Sequence, residues 1–251
     1  MGLSAVTYDS EAPAIYLKGT RMNQHLGHSC KLLRSADRTD GVDHQLGNYL
    51  YTFAQTLNAV ETFNYSYCPG DQTQRADWQA FSASAAAQAI IQGKIGLVCH
   101  QGGIHFVPAN DNTVCRISNL HLKQRKYSAD ITGGGSFAEI TLNGEKLSGS
   151  MQLPSDMLKS DNHLDIKRTS NNPGCITLMW ALDTEISDVK SDKDSLQFRI
   201  NNTVFSKMEF YAPSDAEITV NGREVNADYD AVTHRLWFSG ILRKNDIVKI
   251  S

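Results

Sequence analysis

Apolar positions change their spacing near Ile95, and that change divides the chain. Before it they recur every three or four residues. Leu46, Leu50, Phe53, Leu57 and Val60 do so most clearly, which places them on one face of a helix predicted over 44–63. Asp43 is its expected N-cap, with a carboxylate able to accept from the first-turn amides. A second helix is predicted over 80–92, where Ala83, Ala85, Ala86, Ala87 and Ala89 favour helix and admit a close neighbour. Gly93 is its expected C-cap. A weaker pattern predicts a helix over 22–34.

After Ile95 the pattern alternates in short runs separated by turn residues. Leu196, Phe198 and Ile200 form a clean run. Cys115 and Ile117, then Leu120 and Leu122, slip by one residue near Ser118-Asn119, as a β-bulge would require. Gly102-Gly103, Gly133 to Gly135, Asn143-Gly144 and Asn221-Gly222 punctuate the strands. One unit repeats: Ala138 to Leu147 (AEITLNGEKL) returns as Ala216 to Val225 (AEITVNGREV). Each copy alternates up to an Asn-Gly pair suited to a type I′ turn, so each is a predicted strand-turn-strand. The expected fold class is therefore α+β, a short helical segment over 1–95 followed by antiparallel β-sandwich structure over 96–251.

Composition sharpens this only slightly. A hydrophobic fraction of 41% fills an ordinary core, and a net charge of −3 with no basic stripe excludes nucleic acid as an expected partner. No apolar run approaches the roughly 18 residues of a membrane helix, so no membrane partner is expected either. Met1 to Ser4 shows no signal-peptide pattern, which fits a cytoplasmic protein, or a periplasmic one truncated at its N-terminus. The five cysteines are scattered without a C-x-x-C pair and are expected to be free and mostly buried. No metal and no cofactor is expected.

The stretch between the two main predicted helices carries the candidate chemistry. Glu61 is followed by Phe63, Tyr65, Tyr67 and a Pro69-Gly70 turn, then by Trp78 at the entrance to the alanine-rich helix. Sugar sites need such a combination, because carboxylates supply acid–base chemistry and flat rings cover the apolar faces of pyranoses. The order of features over 42–147 resembles the end of the six-hairpin, or (α/α)6 barrel, glycosidases, which include glycogen-debranching, trehalase-like, glucosidase and rhamnosidase groups. Gln92 to Leu97 followed by Gly103 to Pro108 is similar to their exit hairpin, and Leu142 to Leu147 to their terminal strands. The resemblance implies a catalytic base at Glu61 and a substrate-binding ring at Trp78, with Tyr65 and Tyr67 beside them. It also implies a carbohydrate partner. The general acid of those enzymes comes from a part of the barrel that would precede Met1, so the chain is expected to be catalytically incomplete.

Other residues are expected to be structural. His25, His28 and Cys30 lack the spacing of a zinc motif. His100 and His105 flank a Gly-Gly turn and are expected on a β surface. Trp180, Trp237 and Phe238 are expected in the core. Two further readings stand beside the glycosidase: a non-catalytic carbohydrate-binding β-sandwich, which an exposed aromatic platform would favour, and a structural β protein that assembles through its helices. The stripe of Leu46, Leu50, Phe53 and Leu57 makes self-association an expectation.

Overall fold

The computed structural model describes residues 20–22, 26–56, 62–64 and 80–251. The chain divides into two compact units, Met1–Leu97 and Val98–Ser251. The fold class is α+β, with the helices in the first unit and strands dominating the second. No helix among the described residues is long and apolar enough to cross a membrane.

In the helical unit, β1 (Thr20–Met22) pairs antiparallel with β2 (Thr62–Asn64). Three helices follow the chain: α1 (Leu26–Ser35), α2 (Thr39–Thr56) and α3 (Ala80–Gln88). α3 continues as a π-helical segment, Ala89–Ile95. Leu26 and Cys30 of α1, Val42 and Tyr49 of α2, and Ala85 and Ala89 form the buried cluster, with Leu46 packed against it.

The observed helices differ from the predicted ones in their limits. The helix expected over 44–63 runs instead from Thr39 to Thr56, and Phe63 lies in β2. Asp43 is therefore inside α2 and not its cap, and its carboxylate pairs with Lys94 at 2.6 Å. Of the helix expected over 22–34, Met22 belongs to β1, and α1 starts at Leu26. Gly93 does not end the alanine-rich helix. It is buried where a Cβ would lie 2.4 Å from that of Cys30, so its bareness lets the π segment approach α1. Gly96 is the cap, at φ 91°, a left-handed conformation that glycine adopts without strain. Arg34, almost fully buried, donates to the carbonyls of Gly93 and Lys94 at 3.4 and 2.8 Å, placing a cation where a helix C-terminus favours one.

The β unit opens with a hairpin of β3 (Leu97–His100) and β4 (Gly103–Phe106). A five-stranded sheet follows, built from β5 (Cys115–Leu122), β6 (Arg125–Gly133), β7 (Phe137–Leu142), β8 (Glu145–Lys146) and β9 (Asp161–Thr169). Its order is β5-β6-β9-β7-β8, and β6 and β9 run parallel while the other neighbours are antiparallel. The expected bulge is present, since the β5–β6 register shifts between Ile117 and Leu120 and Asn119 has φ 57°.

The remaining strands are β10 (Thr177–Ala181), β11 (Ile186–Ser191), β12 (Leu196–Ile200), β13 (Val204–Tyr211), β14 (Ile218–Val220), β15 (Arg223–Val225), β16 (Asp228–Asp230), β17 (Arg235–Leu242) and β18 (Ile247–Ile250). They form a four-stranded sheet, β10-β13-β17-β16, and a five-stranded sheet, β11-β12-β18-β14-β15. Leu178, Met208, Phe210, Leu236 and Phe238 from one sheet meet Ile186, Leu196, Phe198, Ile218, Val248 and Ile250 from the other in a single buried cluster. Side chains alternating inward from two sheets around one core make this a β-sandwich.

Both copies of the repeat are hairpins. Asn143 and Gly144 have φ 54° and 88°, and Asn221 and Gly222 have φ 52° and 76°, as a type I′ turn requires. The likeness extends to the next strand in each sheet. Asn143 exchanges backbone and side-chain hydrogen bonds with His163 of β9, through its N–H at 2.8 Å and its Oδ1 at 3.0 Å. Asn221 does the same with Ile247 of β18, at 2.8 and 2.9 Å. Each hairpin thus occupies the same end of its own five-stranded sheet, β9-β7-β8 in one and β18-β14-β15 in the other.

Candidate functional site

Glu61, Tyr65, Tyr67 and Trp78, the expected catalytic and sugar-binding residues, lie outside the described residues, as do His25 and Cys68. The described chemistry concentrates in the β unit, in features that the sequence pattern had passed over.

The first is the outer face of the four-stranded sheet. Along β17, Leu236 and Phe238 point into the sandwich, which sends Trp237 outward, where it is 38% exposed. Trp237 is thus not a core residue as expected, while Phe238 is. Its cross-strand neighbours are Glu209 on β13 and Asp228 on β16. Trp180 on β10 faces Glu209 from the other side, so two indoles flank one carboxylate, two strand spacings or about 10 Å apart along the backbone. Trp180 is half-buried, with the ring of His105 against it edge-on at 4.5 Å. Arg235 holds the Glu209 carboxylate at 3.1 Å, and Phe205 and Ile241 form an exposed apolar rung further along the same face. The clue was present in Arg235-Leu236-Trp237-Phe238-Ser239, where alternation groups Trp237 with Arg235 and Ser239 and opposes it to Leu236 and Phe238.

The second feature is a cleft of about 370 Å³ beside β7. Glu139, Lys146, Lys167, Asn171, Asn172 and Thr177 supply much of its polar lining, and Phe137 its one aromatic ring. Phe137 packs edge-on against Tyr211 at 5.4 Å, with the Arg235 guanidinium 5.9 Å over its ring. Since Tyr211 and Arg235 are paired two residues along the ladder from Glu209 and Trp237, and so on the same outer face, Phe137 connects the cleft to that face. By sequence alone, Asn171-Asn172-Pro173-Gly174 reads only as a turn.

A third group, Asp130, His163 and Asp165, comes together because Asp130 and Asp165 are opposed on the parallel strands β6 and β9. His163 Nε2 lies 3.3 Å from Asp165 and 3.6 Å from Asp130, and its Nδ1 lies 2.9 Å from the Ser128 hydroxyl. Their ligand atoms are close enough to hold a metal ion. Arg116 already binds Asp130, and its hydrogen bond holds that carboxyl below the usual carboxylate range. With the Ser128 contact, this makes an ion-pair ladder on a solvated sheet face, and no metal is assigned to it.

Two expectations about nucleophilic and basic residues are corrected. His105 is fully buried, because β4 is covered on both faces and alternation sends no side chain to solvent. Among the described cysteines only Cys30 is buried; Cys99, Cys115 and Cys175 are half-buried, and burial pushes the Cys99 thiol up. His28 is exposed while Cys30 is buried in the helical core, so these two do not converge on one site.

Comparison with known proteins finds no family model and no curated sequence that matches the chain.

Proposed function

We propose that this chain is a carbohydrate-binding portion of a glycoside hydrolase, holding an oligo- or polysaccharide on its β unit. The observation that carries the reading is the outward Trp237, set in a sheet face beside Trp180, Glu209, Arg235 and Asp228. An exposed ring offers a pyranose its apolar partner, and the charged groups around it accept and donate to its hydroxyls. The resemblance over 42–147 to the end of six-hairpin glycosidases supports the same class of partner. Gel electrophoresis through dissolved neutral and acidic polysaccharides tests it. At least one polysaccharide is expected to retard the chain, and Trp237→Ala is expected to restore its free mobility. A panel with no retardation, or retardation indifferent to Trp237→Ala, would contradict the reading.

In this account the chain binds without completing a hydrolytic centre. Hydrolysis with retention or inversion requires two positioned carboxylates, and the resemblance supplies only Glu61. The expected outcome with aryl-glycoside and oligosaccharide substrates is no enzyme-like turnover. Turnover abolished by Glu61→Gln would reverse this part of the proposal and make the chain an enzyme in its own right.

A further inference from the structure

We infer that the cleft beside β7 takes an anionic sugar residue, a uronate or a sulfated sugar, with Lys167 and Lys146 as its counter-ions. This rests on the carbohydrate reading above and names the chemical class of one residue of the ligand. The cleft has the size of a small-molecule site, about 370 Å³ against a usual range of ~300–1,000 Å³.

Its charge is unbalanced. Lys167 on β9 stands directly across from Glu139 on β7, the position in which a carboxylate would ordinarily neutralise it. The Glu139 carboxylate instead pairs with Lys146 at 3.1 Å. Lys167 makes no ion pair among the described residues. Along one wall, two ammonium groups therefore stand against one carboxylate, which pairs with Lys146 only. Four of the seven arginines of the same unit are matched: Arg116 with Asp130, Arg168 with Asp111, Arg199 with Asp188 and Arg235 with Glu209.

The rest of the lining supplies neutral polar groups. The Leu147 N–H donates to the Ile140 carbonyl at 2.8 Å, on the side of β7 away from β9. A strand turns alternate peptide groups to the same edge, so Ala138, two residues earlier, presents its N–H and C=O toward the cleft that it lines. Asn171 and Asn172 add side-chain donors and acceptors, and the Thr177 hydroxyl, which donates to the Cys175 carbonyl, adds an acceptor. An acidic sugar uses both kinds of partner, its charge meeting the lysines and its hydroxyls the amides. Through Phe137 the cleft adjoins the sheet face that carries Trp237, so one glycan can rest on the indole and place an acidic residue in the cleft.

The test titrates the full chain separately with glucuronate, glucose 6-sulfate, glucose and inorganic sulfate, followed by amide chemical shifts. At least one anionic sugar is expected to bind about tenfold tighter than glucose or inorganic sulfate, because charge-assisted hydrogen bonds are the stronger ones, and to weaken as salt is added. Which of the two binds identifies a carboxylate or a sulfate as the source of the charge. Lys167→Met is expected to erase the preference. Glu139→Gln is expected to strengthen binding, an effect that a purely structural role for these residues would not produce. Equal binding of glucose and both anionic sugars, or an unchanged preference in a folded Lys167→Met variant, overturns the inference. Inorganic sulfate binding as tightly as the sugars overturns it too, by making the cleft a general anion site. The two proposals separate cleanly: Trp237→Ala abolishing polysaccharide retardation while glucuronate, glucose 6-sulfate and glucose bind alike sinks only the cleft, and the converse sinks only the sheet face.

Discussion

Arg168 carries a guanidinium into the β unit with only 1% of its side chain exposed, and Asp111 meets it at 3.0 Å with 5% exposed. The same guanidinium donates to the Thr113 carbonyl, so one residue of β9 ties down the segment that leads into β5. Removing one member of a buried pair strands the other, which costs about 3–5 kcal/mol. Arg168→Ala and Asp111→Ala are each expected to lower the unfolding free energy of the β unit by that order in chemical denaturation, and the double variant by less than their sum. Additive losses would mean that the two charges act independently. Neither partner was legible as a pair in the sequence, because they are 57 positions apart and nothing local marks Asp111 as buried. Trp237 was legible in principle. Its own two-residue alternation contradicted the general tendency of tryptophan to be buried, and the local pattern prevails over the residue-type average.

At the scale of elements, the Asn-Gly hairpins were readable because their chemistry is local: two successive positive φ angles demand those residues. What the repeat could not disclose was the third strand, whose partners, His163 and Ile247, have no common side-chain chemistry. The asparagine side chains do that joining, so Asn143→Ala and Asn221→Ala are each expected to cost about 1–3 kcal/mol, through backbone and side-chain groups left without partners. Chemical denaturation measures this, and a change near zero at either site would show that the two turns are not equivalent. The helices were legible as elements but not in their limits. Apolar spacing located α2, yet its buried side is Val42, Gln45 and Tyr49, with Leu46 half-buried, rather than the stripe through Leu50 and Phe53. The face that packs is set by where α1 and α3 stand, and spacing within one helix does not contain that information. Gly93 likewise looked like a terminator because the sequence does not show Cys30 against it.

For the whole molecule, the α+β division and the sandwich were available from periodicity alone, while the candidate site was not. Its parts come from β7, β8, β9, β10, β13, β16 and β17, which only the sheet topology brings near one another. The helical unit adds a proposal of its own. Leu50 and Phe53 are 60% and 41% exposed on α2, and burying each would contribute about 1.5–3 kcal/mol. Self-association through this face is the expected outcome in sedimentation across a range of concentrations, reduced by Phe53→Asp. A monomer at every concentration would remove α2 from any interface between copies. The central claim, that the β unit holds the glycan, is tested most directly by the indole N–H resonances of the chain's three tryptophans, Trp78, Trp180 and Trp237, during titration with a polysaccharide that retards it. The account predicts that the Trp237 signal shifts most, with Trp180 following at the same concentrations and Trp78 unmoved. A shift confined to Trp78, with Trp180 and Trp237 unchanged, would contradict it and return the site to the stretch that begins at Glu61.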